Sequence, residues 1–334
     1  MAYRTRQAPF WLGKRSQHGL KTIVVPYKDG VGASRVFLPP EQANRYTSLL
    51  DFFIEQFPNV APDIWQARFA DGLVTDQTGS AVSPSATYIS GQHLFYYRHV
   101  ETEPRIPFDE VVLYQDEHLV VADKPHFLPV TPSGRYVQET LLVRLKNKLG
   151  LPNLSPLHRL DRDTAGLVLF GVQAKERGAY QQMFHDRQVH KTYEAIAPYR
   201  EDLQLPITYE SRLEDSDIYM QMHEVEGTPN SRTQIALQSI LPSRPDGERA
   251  GVRLASYELK PVTGKRHQLR VHMNALGIPI LNDGIYPTLT PEQLVMTEAD
   301  YAKPLQLLAK RLEFVDPVTK SERTFESSRV LSKS

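Results

Sequence analysis

Two stretches with the apolar spacing of helices lie in the first hundred residues. The segment LLDFFIEQF, from Leu49, places apolar side chains three and four positions apart, and APDIWQARFADG carries a second such pattern that ends at Gly72. Short segments with strand character follow at LVTD, AVSP and HLFYYR, separated by turn-forming residues. Two short helices and a small hairpin predict a compact α/β module over residues 1–98.

A longer alternation of strand and helix patterns fills residues 110–334, after an acidic, proline-containing segment that we interpret as a linker over residues 99–109. The run EVVLYQDEHLVVADKP predicts two strands joined by a tight turn, as in antiparallel pairing. Further strands are predicted at GLVLFGV, KTYEAIAPY and GVRLASYELKPVTG, and helices at ETLLVRLKNKLG, AKERGAYQQMFHD and KRHQLRVHMNALG. The fold class is therefore predicted as α+β, with a mixed, mainly antiparallel central sheet and flanking helices.

The composition narrows the class of protein. The chain has 334 residues, of which 40% are hydrophobic, so it is long enough for two domains with a sizeable core. It contains no cysteine, which excludes disulfides, thiolate metal sites and a cysteine nucleophile and fits a reducing cytoplasm. The N-terminus lacks the apolar core of a secretory signal, and no apolar run reaches the length of a membrane span. We therefore expect a cytoplasmic protein without a membrane partner.

Charge is balanced over the whole chain but not between its two parts. The 39 basic and 39 acidic residues give a formal net charge of zero, so a polyanion would be bound by a local patch. Residues 1–98 hold ten Lys/Arg and seven Asp/Glu, which leaves this part at +3 and the remainder at −3. Six of the ten precede Asp29, and this basic arm is either a solvated tail or a segment that contacts phosphates.

The most charge-dense segment lies directly before a strand that is predicted to be buried. It runs from His158 to Gly166 with the sequence HRLDRDTAG, in which five of nine side chains are ionisable. Because an unpaired buried carboxylate is costly, such a loop indicates either a functional site or a salt-bridged turn. Asp161 and Asp163 can also form a carboxylate pair of the kind glycosidases use, although we expect one of them to serve structure.

A basic segment without acids surrounds the last predicted strand–helix junction. Residues 259–272 contain four Lys/Arg, two His and no acid, within and just before TGKRHQLRVH. On a helix His267 and Arg270 would share one face, and the helix start would direct N–H groups toward a phosphate. A solvated basic helix face is the common alternative. A weaker pattern, KTYEA, places Tyr193 at the start of a strand, where a tyrosine usually packs in the core.

The segments HRLDRDTAG, KTYEA and TGKRHQLRVH occur in this order and resemble motifs of the RluA-type RNA pseudouridine synthase family. The segments ADKPHFLPVTPSG, ALGIPILNDGIYP and LLAKRLEFVDP add to the resemblance, which covers nearly all of residues 110–320. The N-terminal module is similar to the small alpha-L RNA-binding domain often attached to these enzymes. The resemblance implies the pseudouridine synthase fold and a monomeric isomerase. Its partner would be structured ribosomal or transfer RNA, in which one uridine becomes pseudouridine, and it would need no metal or cofactor.

Three catalytic residues are implied by the same resemblance. Asp161 would be the essential aspartate, as a nucleophile or as a base on the sugar, and Arg270 would pair with it and keep it ionised. Tyr193 would lie against the uracil ring and assist proton removal from C5. We expect Arg270 to serve the chemistry more than the fold. Five further residues are implied as RNA-binding: His158, Arg159, Lys265, Arg266 and His267.

Two other functions were weighed against this one. A catalytically inactive RNA-binding protein on the same fold would be expected to lack Asp161 or Arg270, and both are present. A carboxylate-dependent hydrolase acting on nucleosides would need a second positioned acid, and Asp163 is the only candidate for it in the sequence. Product analysis separates the enzymes, because isomerisation conserves the mass of the RNA whereas hydrolysis releases uracil.

Overall fold

The computed structural model describes residues 27–28, 30–97, 103–134, 136–218, 220–242, 253–289 and 301–332. The chain divides into two compact units, Met1–Lys28 with Gly32–Arg98 and Asp29–Val31 with His99–Ser334. The predicted basic arm before residue 27 lies outside the described residues.

The smaller unit packs two helices against a three-stranded antiparallel sheet of order β3-β5-β4. Its core is aromatic, with Phe52, Phe53 and Trp65 fully buried. Both predicted helices are confirmed, whereas AVSP forms only an isolated bridge between Ala81 and Thr75 and not a strand. The first elements along the chain are β1 (Tyr27–Lys28), β2 (Val31–Gly32), β3 (Ser34–Phe37), α1 (Leu49–Gln56), α2 (Pro62–Ala70), β4 (Val74–Thr75) and β5 (His93–Tyr96).

The larger unit is built on an eleven-stranded mixed sheet with helices α3, α4 and α5. The sheet has the order β12-β11-β13-β14-β10-β15-β9-β7-β6, with β16 paired to β15 and β8 to β9. All its ladders are antiparallel except that between β15 and β9, so the predicted α+β class is confirmed. Its elements are β6 (Val111–Gln115), β7 (Leu119–Lys124), α3 (Leu141–Leu149), β8 (Ser155–Pro156), β9 (Ala165–Gly171), α4 (Arg177–His185), β10 (His190–Pro198), β11 (Ile207–Asp215), β12 (Met222–Val225), β13 (Ser231–Ile240), β14 (Leu254–Pro261), α5 (Gln268–Ala275), β15 (Leu307–Val315) and β16 (Glu322–Glu326).

Strand register brings the charged sequence motifs together. Lys124 pairs with Gly166, Gly166 with Ala309, Ala309 with Tyr193 and Tyr193 with Leu259, so one row crosses five strands. The charge-dense segment ends in this row, at Gly166 on β9. The basic segment begins in the same row, at Leu259 on β14. Three motifs that are far apart in sequence therefore meet at one place on the sheet.

The close approach of β9 and β15 depends on a glycine. Gly166 has φ +112°, and a Cβ built there would lie 2.3 Å from the carbonyl oxygen of Ala309. No side chain fits against a backbone at that distance, and L-residues rarely adopt such a φ. The glycine thus allows β15 to approach β9 closely at the point where the charge-dense loop joins β9.

The interpreted linker is partly folded onto the larger unit. Glu103 accepts hydrogen bonds from the N–H groups of residues 137–139, at 2.7–2.8 Å. Arg144 donates to the carbonyl oxygens of Ile106 and Phe108, both at 2.7 Å, and the Ile106 side chain is buried. A shortened chain that is meant to preserve this unit therefore has to start before Glu103.

A buried histidine holds α5 against the sheet. His272 has no exposed surface, and its Nδ1 lies 2.9 Å from the hydroxyl of Thr233. Its Nε2 lies 2.9 Å from the Ser231 hydroxyl and 3.1 Å from that of Ser211. These contacts tie the helix to β11 and β13 and set its orientation.

Acidification is expected to destabilise the fold through two histidines. Burial lowers the pKa of His272 to about 4, and burial together with the charge of Lys191 lowers the pKa of His158 to about 3. Between about pH 6.5 and 4 the unfolded chain therefore binds more protons, so the free energy of unfolding falls as the pH falls. For His272 alone the loss is about 3 kcal/mol at pH 4.

Urea unfolding measured from pH 7 down to pH 4 tests this. The variant His272→Gln should lose less stability over this range than the wild-type chain. An equally steep fall in the variant would show that His272 does not carry the effect.

Candidate active site

Contacts to its backbone fix the loop that carries Asp161. Lys124 has no exposed surface, and its Nζ donates to the carbonyl oxygens of Pro125, Leu128 and Arg162, each at 2.9 Å. Burial lowers the pKa of Lys124 to about 7, while the three carbonyl acceptors match the three N–H donors of the charged ammonium. His126 adds a contact at 2.7 Å to the carbonyl oxygen of the next loop residue, Asp163. The Asp161 side chain is left free to face the cavity.

A buried arginine lies opposite Asp161. The Arg270 side chain is 2% exposed, and its Nη1 lies 3.5 Å from Oδ2 of Asp161, whose side chain is 31% exposed. The shorter bonds of Arg270 go to Asp283, through Nε at 2.8 Å and Nη2 at 2.6 Å. The expected pairing with Asp161 is thus present as an ion pair, while a second carboxylate holds the guanidinium in place.

Asp283 is itself buried, and both of its carboxylate oxygens accept hydrogen bonds. Its side chain is 1% exposed, and its Oδ1 accepts from the backbone N–H groups of Ile285 and Tyr286, at 2.8 and 3.0 Å. Burial alone would lower the pKa of Arg270, but the bonds to Asp283, helped by the charge of Asp161, raise it above its usual range. Arg270 therefore stays charged, and it serves the fold as well as the site, which corrects the expectation that its role is mainly chemical.

His267 approaches Asp161 from the other side. Its Nε2 lies 3.9 Å from Oδ2 of Asp161, and its Nδ1 lies 3.1 Å from the Tyr286 hydroxyl. The residue has φ +54° and directly precedes α5, which begins at Gln268. The prediction that His267 shares a helix face with Arg270 is therefore wrong, because the chain turns before the helix starts. Burial lowers the pKa of His267, opposed by the charge of Asp161.

Tyr193 lies close enough to Asp161 to respond to its charge. Burial raises the pKa of the Tyr193 hydroxyl well above its usual range, and the negative charge of Asp161 raises it further. The side chain also packs against the core on β10 and β14. Tyr193 is therefore a neutral phenol at pH 7.

A cavity of about 240 Å³ opens beside these groups. It is lined by Asp161, Arg162, Asp163, Met220, Arg266, His267, Arg270 and Ile285. Asp163 is engaged within it, with Oδ1 2.8 Å from Nε of Arg162. Burial would raise the pKa of Asp163, but Arg162, Arg270 and Lys124 together hold it below its usual range.

The five residues predicted to bind RNA have different surroundings. Arg159 and Lys265 are exposed, and among the described residues neither side chain has an ion-pair partner. Arg266 is also exposed, but its Nη2 lies 2.7 Å from Asp215 and 2.9 Å from a backbone carbonyl. His158 is enclosed, with its Nε2 accepting from the N–H of Leu169 at 3.1 Å, which supports a structural role. His267 lies at the cavity.

Comparison with known proteins identifies the family. A family model described as RNA pseudouridylate synthase matches residues 118–275. An RNA pseudouridine synthase of Synechocystis is 30% identical over 71% of this chain and 79% of its own length. The dual-specificity RNA pseudouridine synthase RluA of Pasteurella multocida is 30% identical over 68% of this chain and 95% of its own. The chain belongs to the RluA-type RNA pseudouridine synthase family. As a member of this family it is an isomerase that acts on RNA.

A solved structure supports the same fold for the synthase. Human RNA pseudouridylate synthase domain containing 1 superposes with a TM-score of 0.52 at 22% identity, over 68% of this chain and 86% of that one. The predicted pseudouridine synthase fold is confirmed.

The sequence alone did not reveal two residues whose contacts hold the candidate site together. Asp283 lies in a loop after α5, and only the folded chain shows that it holds Arg270. Lys124 ends the buried strand LVVADK, and a lysine at the end of a buried strand is a usable signal, because a buried ammonium needs acceptors.

The described ranges contain neither a metal-binding cluster nor a helix suited to span a membrane. No group of three or more His, Asp or Glu side chains there is arranged to hold a metal ion. Within the same ranges, no helix of the synthase combines the length and the apolar character of a membrane span.

Proposed function

We propose that the synthase isomerises one specific uridine of structured ribosomal or transfer RNA, with Asp161 as the catalytic carboxylate. The observation that carries the proposal is the half-exposed carboxylate of Asp161 at the cavity, 3.5 Å from the buried guanidinium of Arg270. A carboxylate that faces a cavity beside a fixed cation can act as a nucleophile or a base.

The reaction breaks the N1–C1′ bond of uridine, turns the detached uracil and joins C5 to C1′. The proton on C5 is then lost and N1 gains one, so the RNA keeps its composition and no oxidant or reductant is used. Asp161 supports the cleavage either by attacking C1′ or by removing a proton from the sugar. In both cases the carboxylate of Asp161 has to carry its negative charge before the reaction, and the guanidinium of Arg270 lies 3.5 Å from it.

Tyr193 is proposed to contact the uracil ring during this turn. It lies in the same row of the sheet as Gly166, which ends the Asp161 loop, and its aromatic ring offers a flat, apolar surface to a pyrimidine. Because its hydroxyl is protonated at pH 7, it can act on the C5 proton only after giving up its own.

The target nucleotide has to leave its stack before Asp161 can reach C1′. Unstacking costs a few kcal/mol, which contacts to the flanking RNA must offset. Arg159 and Lys265 are exposed at the two loops that border the cavity and are proposed to make such contacts. His267 is placed to contact the nucleotide inside the cavity.

The engagement of Asp163 disfavours the hydrolase alternative. A hydrolase would need a second carboxylate to activate water, and Asp163 is held by Arg162 at 2.8 Å. The intact constellation of Asp161, Arg270 and Asp283 likewise disfavours an inactive RNA-binding protein. We further propose that the synthase is a monomer and that it acts in the cytoplasm.

Mapping of pseudouridines in total RNA, with and without the gene for this chain, tests the proposal and identifies the target. We expect one or a few sites to disappear without the gene and to return when it is restored. If no site in ribosomal or transfer RNA changed, the proposed substrate class would be wrong.

The smaller unit, residues 1–98, is proposed to contribute RNA affinity rather than catalysis, because its sequence carries a charge of +3. A shortened chain that begins at His99 keeps Glu103 and should fold. It should bind RNA more weakly, with a shallower dependence of log K on log salt, because fewer phosphates are neutralised. Residual isomerisation at high enzyme concentration is expected.

Filter binding at several salt concentrations measures this difference. Unchanged affinity and salt slope in the folded, shortened chain would rule out an RNA role for residues 1–98. A shortened chain that fails to fold would indicate a stabilising role instead.

A further inference from the structure

Lys191 lies between the two loops that border the cavity. It is on β10, two residues before Tyr193. Its Nζ lies 3.7 Å from the position that a Cβ on Gly264 would occupy, which places it against the loop that carries Lys265. On the other side its charge contributes to the lowered pKa of His158, the neighbour of Arg159.

Among the residues that the structure describes, no carboxylate neutralises the ammonium of Lys191. In the ranges that the structure describes, it has no carboxylate within 4.0 Å and no hydrogen-bond acceptor. Three other lysines of this unit have partners: Lys124 has three carbonyl oxygens, Lys260 has Glu258 at 2.6 Å and Lys310 has Glu326 at 3.3 Å. Lys191 is half-buried, and burial without an opposing charge lowers its pKa. A half-buried cation in this position is poorly solvated and favours an anion beside it.

The surroundings of Lys191 leave room for such an anion. Gly264 has no side chain and is exposed, so the ammonium is not covered from that direction. Lys265 is next to Gly264, and Arg159 is next to His158, and neither has an ion-pair partner among the described residues. Among the described residues, Arg159, Lys191 and Lys265 thus lie on or next to the two loops that line the cavity, and none of them has an ion-pair partner.

We propose that Lys191 binds a backbone phosphate of the RNA next to the target nucleotide. The proposal rests on the proposed function, because it assigns part of the substrate to a residue outside the catalytic set. A phosphate fits better than a uracil oxygen, because it supplies the full negative charge that the site lacks. RNA brings one phosphate with every nucleotide, so a nucleotide turned into the cavity carries its phosphates to the border where Lys191 lies.

The variant Lys191→Gln tests the proposal by removing the charge while keeping most of the side chain. We expect KM for a transfer or ribosomal RNA that the wild type modifies to rise about tenfold at low salt, with kcat largely kept. The dependence of log K on log salt for RNA binding should become shallower by about 0.7–0.9, the value for one phosphate. Lys191→Arg keeps the charge and should restore most of the affinity.

Lys175→Gln is the matched control, because Lys175 is a mostly exposed lysine two residues before α4 and loses the same charge. It should leave KM and the salt slope unchanged, and thermal unfolding confirms that each variant is folded. If Lys191→Gln leaves KM and the slope unchanged, or lowers kcat alone, Lys191 does not bind a phosphate. If Lys191→Gln does not fold, the comparison of Lys191→Arg with the wild type decides, since a restored slope supports a charge contact and a lost one refutes it.

The RNA-binding measurement does not depend on turnover. Should the wild type isomerise no RNA, the proposed function would fail whatever Lys191 does. Should the wild type be active and Lys191→Gln match it in KM and slope, only the phosphate contact would be refuted.

Discussion

Replacing Asp161 with asparagine is expected to abolish pseudouridine formation, with a loss of rate on the order of 10³-fold or more. An amide keeps the shape of the side chain but has no charge, so it can neither attack C1′ nor accept a proton from the sugar. Since Asp161 is 31% exposed and 3.5 Å from Arg270, its loss should change stability little. RNA binding should be retained, because the loss of a negative charge does not increase the repulsion of the RNA phosphates. Single-turnover assays and filter binding measure the two effects.

Asp163→Asn is the matched control, two residues away in the same loop. Asp163 is bonded to Arg162, so its loss should affect the loop more than the reaction and reduce the rate much less. An active Asp161→Asn together with an inactive Asp163→Asn would reverse the assignment of the catalytic carboxylate.

Arg270→Lys is expected to lower the rate on the order of 10²-fold, and Asp283→Asn should have a similar effect. A lysine keeps the charge but has no planar fork, so it cannot bond Asp283 through two nitrogens while presenting a third to Asp161. Asp283→Asn leaves Arg270 in place but weakens the hydrogen bonds that orient its guanidinium. Asp283→Asn leaves the buried guanidinium without its main counter-charge and should also lose about 3–5 kcal/mol of stability, whereas Arg270→Lys keeps the charge and should lose less.

Assays well below the unfolding temperature separate the loss of rate from the loss of stability. Arg311→Lys is the control, because Arg311 forms an exposed pair with Glu313 and should tolerate the change. A near-normal rate for folded Arg270→Lys would show that the guanidinium is not needed opposite Asp161.

Local patterns accounted for most of the elements. The helix over Leu141–Leu149 follows from its apolar spacing and from Gly150, which has φ +65° and ends it. The buried strand Ala165–Gly171 follows from a continuous apolar run. The same reasoning failed at His267, where a left-handed residue before the helix cannot be seen in a pattern of polar and apolar positions.

The pairing of side chains that are distant in sequence was harder to predict from the sequence. Asp161 and Arg270 were connected through the family resemblance, not through spacing. Asp283 was missed because its role comes from a loop that returns to α5 in the folded chain, and no local signal marks a carboxylate as the partner of a buried arginine. The row from Lys124 to Leu259 likewise depends on the order of strands in the sheet, which local sequence does not determine.

Incubation of the purified chain with transcribed ribosomal and transfer RNA, in the presence of a chelator, tests the central claim most directly. Product analysis should show pseudouridine at a defined position, RNA of unchanged mass, no free uracil, and no product with Asp161→Asn. Release of uracil, or the absence of pseudouridine from every RNA tested, would contradict the account.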